Sequence, residues 1–131
     1  MRRAEDAAIM SAKAIDGIGT TFDVDEYDEV VITLIGYNSP DLTAKIQGYD
    51  QEDEPDFSAA ADDSNPWAYK YAYDEDIGSG VQGSTGVPFT GSDAIYELKV
   101  NTDLMKYLNV EISSYVAGNL TVHARGVRRV Y

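Results

Sequence analysis

The chain has 131 residues, 44% of them hydrophobic, and a net charge of −13 from 23 acidic against 10 basic residues, with no cysteine. That length suits one domain around one core, and the missing cysteines exclude disulfides, thiolate metal sites and cysteine nucleophiles together. So acidic a surface is repelled by nucleic acid and anionic lipid, and neither is expected as a partner.

The first segment, "MRRAEDAAIMSAKAIDG", places Glu5, Asp6, Lys13 and Asp16 where a signal peptide needs an unbroken apolar run. No stretch approaches the ~18 apolar residues of a membrane helix. The chain therefore reads as soluble and made in the cytoplasm. Residues 1–19 form an N-terminal arm or a first strand, ahead of a single domain over 20–131.

Further along, the periodicity is two. "VVITLIGY" (Val30 to Tyr37) is a near-continuous β-branched run, as in a central strand buried on both faces. "NSPD" is a turn signal, and "LTAKIQG" (Leu42 to Gly48) alternates, with Leu42, Ala44 and Ile46 on one face and Thr43, Lys45 and Gln47 on the other. The two runs read as a hairpin. Residues 49–66 carry seven acids and two prolines, a long polar connection of the kind that is functional or pinned by a neighbour.

"WAYKYAY" follows, with Trp67, Tyr69, Tyr71 and Tyr73 alternating with Ala68, Lys70 and Ala72. Such a row either stacks on sugars or fills a core. The small, semi-polar reverse face favours an inward core row. "DIGSGVQGSTGVPFTGSD" holds five of the eleven glycines and at most a short strand at Val87 to Thr90. "AIYELKV", "LNVEISSYV" and "LTVHARGV" are three further strands, the last pair joined by the hairpin signal "AGN". "NTDLMKY" suits one helical or 3₁₀ turn. About seven or eight short strands without an amphipathic helix predict an all-β fold, an antiparallel β-sandwich of jelly-roll type.

Chemistry is sparse. The single histidine, His123, shares a strand face with Thr121 and Arg125 and has no cysteine to work with, so nucleophilic catalysis and His-based zinc are disfavoured. The carboxylates lie in loop-like segments rather than as a pair held in a cleft. "DVDEYDE" lacks the glycine and distal glutamate of an EF-hand, and "GSGVQGSTG" has no lysine and no following helix. No enzyme activity, cofactor or metal is expected. All five arginines lie at the two ends, as Arg2, Arg3, Arg125, Arg128 and Arg129, and suit contact with another subunit or an acidic protein surface.

Several stretches together resemble small virion proteins of tailed bacteriophages. They are "FDVDEYDEVVITLIGY", "LTAKIQG", "PDFSAAADDSNPWAY", "GVQGSTGV" and "LNVEISSYVAGNLTVHARGV", spanning roughly Thr20 to Val127. The resemblance implies a jelly-roll decoration or cement protein on the outer capsid surface. Its partner would be the major capsid protein, and it would assemble as a homotrimer at local threefold positions. Related modules occur in phage tails and fibres, so a glycan-binding module with Trp67, Tyr69 or loop tyrosines as its platform is the alternative. No catalytic residue is implied.

Overall fold

The computed structural model describes residues 2–74, 78–81, 83–102 and 105–129, with side chains for all of these except 2–5, 79, 81 and 129. Among the described residues ten strands form one antiparallel sheet: β1 (Arg2–Lys13), β2 (Gly17–Ile18), β3 (Phe22–Asp23), β4 (Glu29–Tyr49), β5 (Ala68–Tyr69), β6 (Ala72–Asp74), β7 (Ser79–Val81), β8 (Val87–Thr90), β9 (Ala94–Asn101) and β10 (Tyr107–Arg129). The main order is β1-β10-β4-β9-β6-β7, with β2 and β3 on β10 and β5 and β8 on β4. The predicted antiparallel all-β class is what is observed.

Alternation builds the core. β4 buries Val30, Ile32 and Leu34 in its first half and Leu42, Ala44 and Ile46 in its second. β10 buries Leu108, Val110 and Ile112, then Leu120, Val122 and Ala124. All belong to one apolar cluster with Phe89, Leu98 and Val100. Side chains on one face of a sheet are sealed from water only when something covers them, and here the sheet bends so that its two halves cover each other in a sandwich-like arrangement. Phe89, whose strand pairs with the second half of β4, packs edge-on against Tyr96 of β9, which pairs with the first half.

The bend corrects two sequence expectations. Neither "NSPD" nor "AGN" reverses the chain; each lies inside a continuous strand. Asn38, Ser39 and Pro40 stand opposite the single residue Gly118, and Ser114, Tyr115 and Val116 stand opposite the single residue Leu42. The two bulges carry equal excess, so the register recovers on either side. Asn38, Ser39, Ser114 and Gly118 supply the positive φ values, at 60°, 55°, 54° and 83°. Residues that permit φ > 0 serve a tight turn or a strand corner equally well. Here both long strands keep the same partner through the corner.

β1 runs along the outer side of β10, from Arg2 opposite Arg129 to Lys13 opposite Leu120. β2 and β3 continue along the same side. Buried Asn109 bridges the gap between them: its Oδ1 accepts from Gly19 N at 3.0 Å, and its Nδ2 donates to Gly19 O and Thr21 Oγ1 at 3.0 and 3.1 Å. In the stretch read as a possible helical turn, Met105 N donates to Thr102 O at 3.0 Å, while residues 103 and 104 lie outside the described residues.

Candidate functional site

The aromatic segment was expected to form one inward row; the structure splits it. Trp67 is buried and Tyr69 half-buried, but Tyr71 is 58% and Tyr73 40% exposed, and Ala72 and Asp74 turn inward instead. The cause is a change of partner. β5 pairs with Gln47 and Gly48, and Lys70 N still donates to Ile46 O at 2.8 Å. The chain then leaves β4, and β6 pairs with β9 through Tyr73–Lys99 and Asp74–Leu98. Lys70 and Tyr71 lie between the ladders, so strict alternation lapses and the parity flips.

Trp67 and Tyr69 are also not part of the sandwich core. Tyr69 sits opposite Gln47, on the odd-numbered face of β4 that points away from Leu42, Ala44 and Ile46. There they form a separate cluster with Phe57, which reaches in from the acidic connection and is almost fully buried. Ring centroids are 6.2 Å apart for Phe57–Trp67 and 5.0 Å for the edge-on Trp67–Tyr69 pair. Lys45 Nζ lies 5.1 Å from the centre of the Tyr69 ring, a cation–π contact.

Polar bonds tie the cluster to the loop. Trp67 Nε1 donates to Ala59 O at 2.9 Å and Gln47 Nε2 to Phe57 O at 3.0 Å, leaving Gln47 Oε1 buried and, among the described residues, without a partner. Residues 50–66 are thus pinned, and they are shaped by their own side chains. Asp56 accepts from the amide and hydroxyl of Ser58, and Asp62 from those of Ser64 and the Asn65 amide. These bonds hold both carboxyls below the usual carboxylate range. Asn65 closes the loop, accepting from Asp56 N at 3.0 Å and donating to Asp56 O at 2.7 Å. At the loop's start Lys106 Nζ meets Asp25 at 3.0 Å and Glu52 at 3.3 Å, and the Tyr107 hydroxyl donates to Glu52 O.

Between loop and sheet lies a hollow of about 380 Å³, walled by Ser58, Ala59, Ala60, Ala61, Tyr69 and Glu111. The Tyr69 hydroxyl donates to Glu111 Oε1 at 2.7 Å. Burial first, then this bond and the charge of Glu111, push the Tyr69 phenol up to about 12. The folded value exceeds the ordinary 10.0, so the neutral phenol stabilises the fold fully below pH 10, and the contribution is lost as pH rises from 10 through 12. Absorbance titration of the tyrosines should therefore show a late component that Tyr69→Phe removes. Loss of that component to a different tyrosine's replacement would contradict the assignment.

The terminal arginines lie on two strands that pair with each other. The β1–β10 ladder sets Arg2 opposite Arg129, Arg3 opposite Arg128 and Asp6 opposite Arg125 along one edge of the sheet. Arg125 Nε lies 3.9 Å from Asp6 Oδ1, both side chains well exposed. The side chains of Arg2, Arg3 and Arg129 lie outside those described. His123 is exposed on the same strand. Among the described residues no three His, Asp or Glu side chains come close enough to hold a metal ion.

No family model and no curated protein matches the chain. Solved structures do. The SPBc2 prophage-derived protein YomS superposes with a TM-score of 0.72 over 97% of this chain and 95% of its own, at 12% identity. The PBSX exported protein XepA superposes at 0.69 over 96% of this chain, at 16% identity; the chain spans 38% of its length. The fold is shared with prophage proteins. At such identities the likeness to YomS and XepA is one of backbone architecture, and no side chain of the loop or of the arginine edge is carried over from it.

Sequence reasoning missed Phe57, Gln47 and Glu111. Phe57 had a signal, as the one aromatic inside "DQEDEPDFSAAADDS". Gln47 had none, because its burial depends entirely on where that loop folds back.

Proposed function

We propose that the protein is a structural component of a tailed bacteriophage, a decoration protein that attaches to the outside of the assembled head and stabilises it without catalysis. What carries the reading is the end-to-end correspondence of its fold with a prophage-derived protein. The arginine edge gives it a means of attachment: a body of net charge −13 gathers its arginines at the β1–β10 edge, where they can meet carboxylates of the major capsid protein. Assembly as a trimer at local threefold positions would multiply a weak single contact. The alternative, a glycan-binding tail or fibre module with Trp67, Tyr69 or loop tyrosines as its platform, loses Trp67 as its stacking residue, since Trp67 is buried and its indole N–H is already bonded to the loop.

Co-sedimentation tests the proposal. The protein should pellet with mature capsids and saturate at a copy number matching symmetry positions. Replacing Arg125 and Arg128 together with alanine should lower occupancy about tenfold or more, equivalent to about 1.4 kcal/mol per tenfold. Protein that stays in the supernatant at saturating capsid would defeat the decoration reading. Unchanged occupancy of the double variant would defeat the role of the arginines alone.

A further inference from the structure

Tyr71 and Tyr73 are large aromatics left to water, and they share a groove. It lies on the outer side of the β6–β9 ladder, has a volume of about 330 Å³, and is lined with them by Asp28, Glu29, Lys99 and Asn101. That volume falls in the range of small-ligand sites (~300–1,000 Å³).

Tyr71 lies over the backbone of β7. Its phenol end occupies the space over Gly80 that a side chain would fill: a Cβ at position 80 would lie 1.6 Å from the Tyr71 hydroxyl oxygen. Gly80 pairs with Tyr73, so the two tyrosines are brought side by side on the same side of β6 and β7. Lys99 pairs with Tyr73 and lies 3.9 Å from Glu29, placing an ammonium and a carboxylate at the margin of the aromatic surface.

We propose that this groove is a binding site for neutral carbohydrate. A pyranose has one apolar face and a rim of hydroxyls, each of which both donates and accepts. The groove matches both parts, with aromatic rings for the face and carboxylate, amide and ammonium groups for the rim. Two carboxylates against one ammonium disfavour phosphate and other anions. The polar margin disfavours a purely apolar ligand. This site is distinct from the loop cluster of Trp67 and from the arginine edge, and it stands whether or not the protein decorates capsids.

The test is titration of the purified protein with neutral oligosaccharides (gluco-, galacto- and N-acetylglucosamine series), followed by calorimetry and by NMR of the tyrosine rings. At least one series should bind saturably and shift Tyr71 and Tyr73. Tyr71→Ala and Tyr73→Ala should each weaken binding about tenfold, and Gly80→Ala, which displaces the Tyr71 ring, should do likewise. Trp67→Phe should leave it unchanged. Circular dichroism confirms that each variant is folded, and both tyrosines are exposed enough for removal to be tolerated. Failure of every sugar to bind, binding that survives the tyrosine variants, or binding of choline or phosphate in place of sugar would each overturn the proposal.

Discussion

Phe57→Ala is expected to release the acidic loop while leaving the sandwich intact. Phe57 is the loop's apolar anchor, buried to 2% exposure against Trp67, and it is not part of the main core cluster. Removing a buried phenylalanine ring costs about 3–5 kcal/mol when the surroundings cannot collapse. Here the loss is capped, because the loop can come away once its docking energy is exceeded. The effect should therefore appear first as local opening. Trp67 is the only tryptophan, so its fluorescence reports the event directly: emission should shift to the red and residues 50–66 should become protease-sensitive, both below the temperature at which the sheet melts. Asn65→Ala is the companion variant, since it removes the bonds that shape the loop but keeps its anchor. A Phe57→Ala protein with native fluorescence and a stability loss under about 1 kcal/mol would show that the loop is held by its polar bonds alone.

Gly118→Ala should be the more damaging change to the whole fold. Gly118 sits at φ +83°, and a Cβ there would lie 2.4 Å from Pro40 Cα and 2.8 Å from Pro40 N. Both neighbours are backbone atoms of the opposing bulge, so no side chain can swing aside. Positive φ costs an alanine about 1–2 kcal/mol, and displacing the corner of β4 adds about 1–3 kcal/mol. A loss of about 3 kcal/mol and a fall in Tm on the order of 10 °C follow for a domain of this size. Gly78→Ala isolates the conformational part, because Gly78 also has positive φ, at +65°, but among the described residues nothing lies within 4 Å of the added carbon. Equal losses in the two variants would show that the Pro40 contact is unimportant.

How far these features can be read from the sequence differs from element to element. Ala94 to Val100 is recognisable by its period of two, and Val30 to Tyr37 by its β-branched run. The latter is fully buried on its even-numbered face only, with Val31, Thr33 and Ile35 half-buried rather than both faces sealed. Val87–Thr90 is bounded by glycines, and the strand has those limits. Asn38 to Asp41 and Ala117 to Asn119 mislead because the dihedral preference is local while the choice between turn and corner belongs to the opposing strand. The aromatic row misleads for a related reason: alternation predicts a face only while a strand keeps one partner, and this one exchanges β4 for β9 after Lys70. The arginines were visible as two distant groups, but only the antiparallel pairing of β1 with β10 makes them neighbours.

That pairing also bears on the order of assembly during synthesis. β1 precedes the other described strands, yet it pairs with β10, which follows them, with residue 2 matched to residue 129. Until β10 leaves the ribosome, β1 has no ladder to join, and β4 lacks its most extensive neighbour. Pairings so remote in sequence form slowly, and an unpaired strand is an open edge for self-association. The sheet is therefore expected to form in one late step, once β10 has been made and can pair with both β1 and β4.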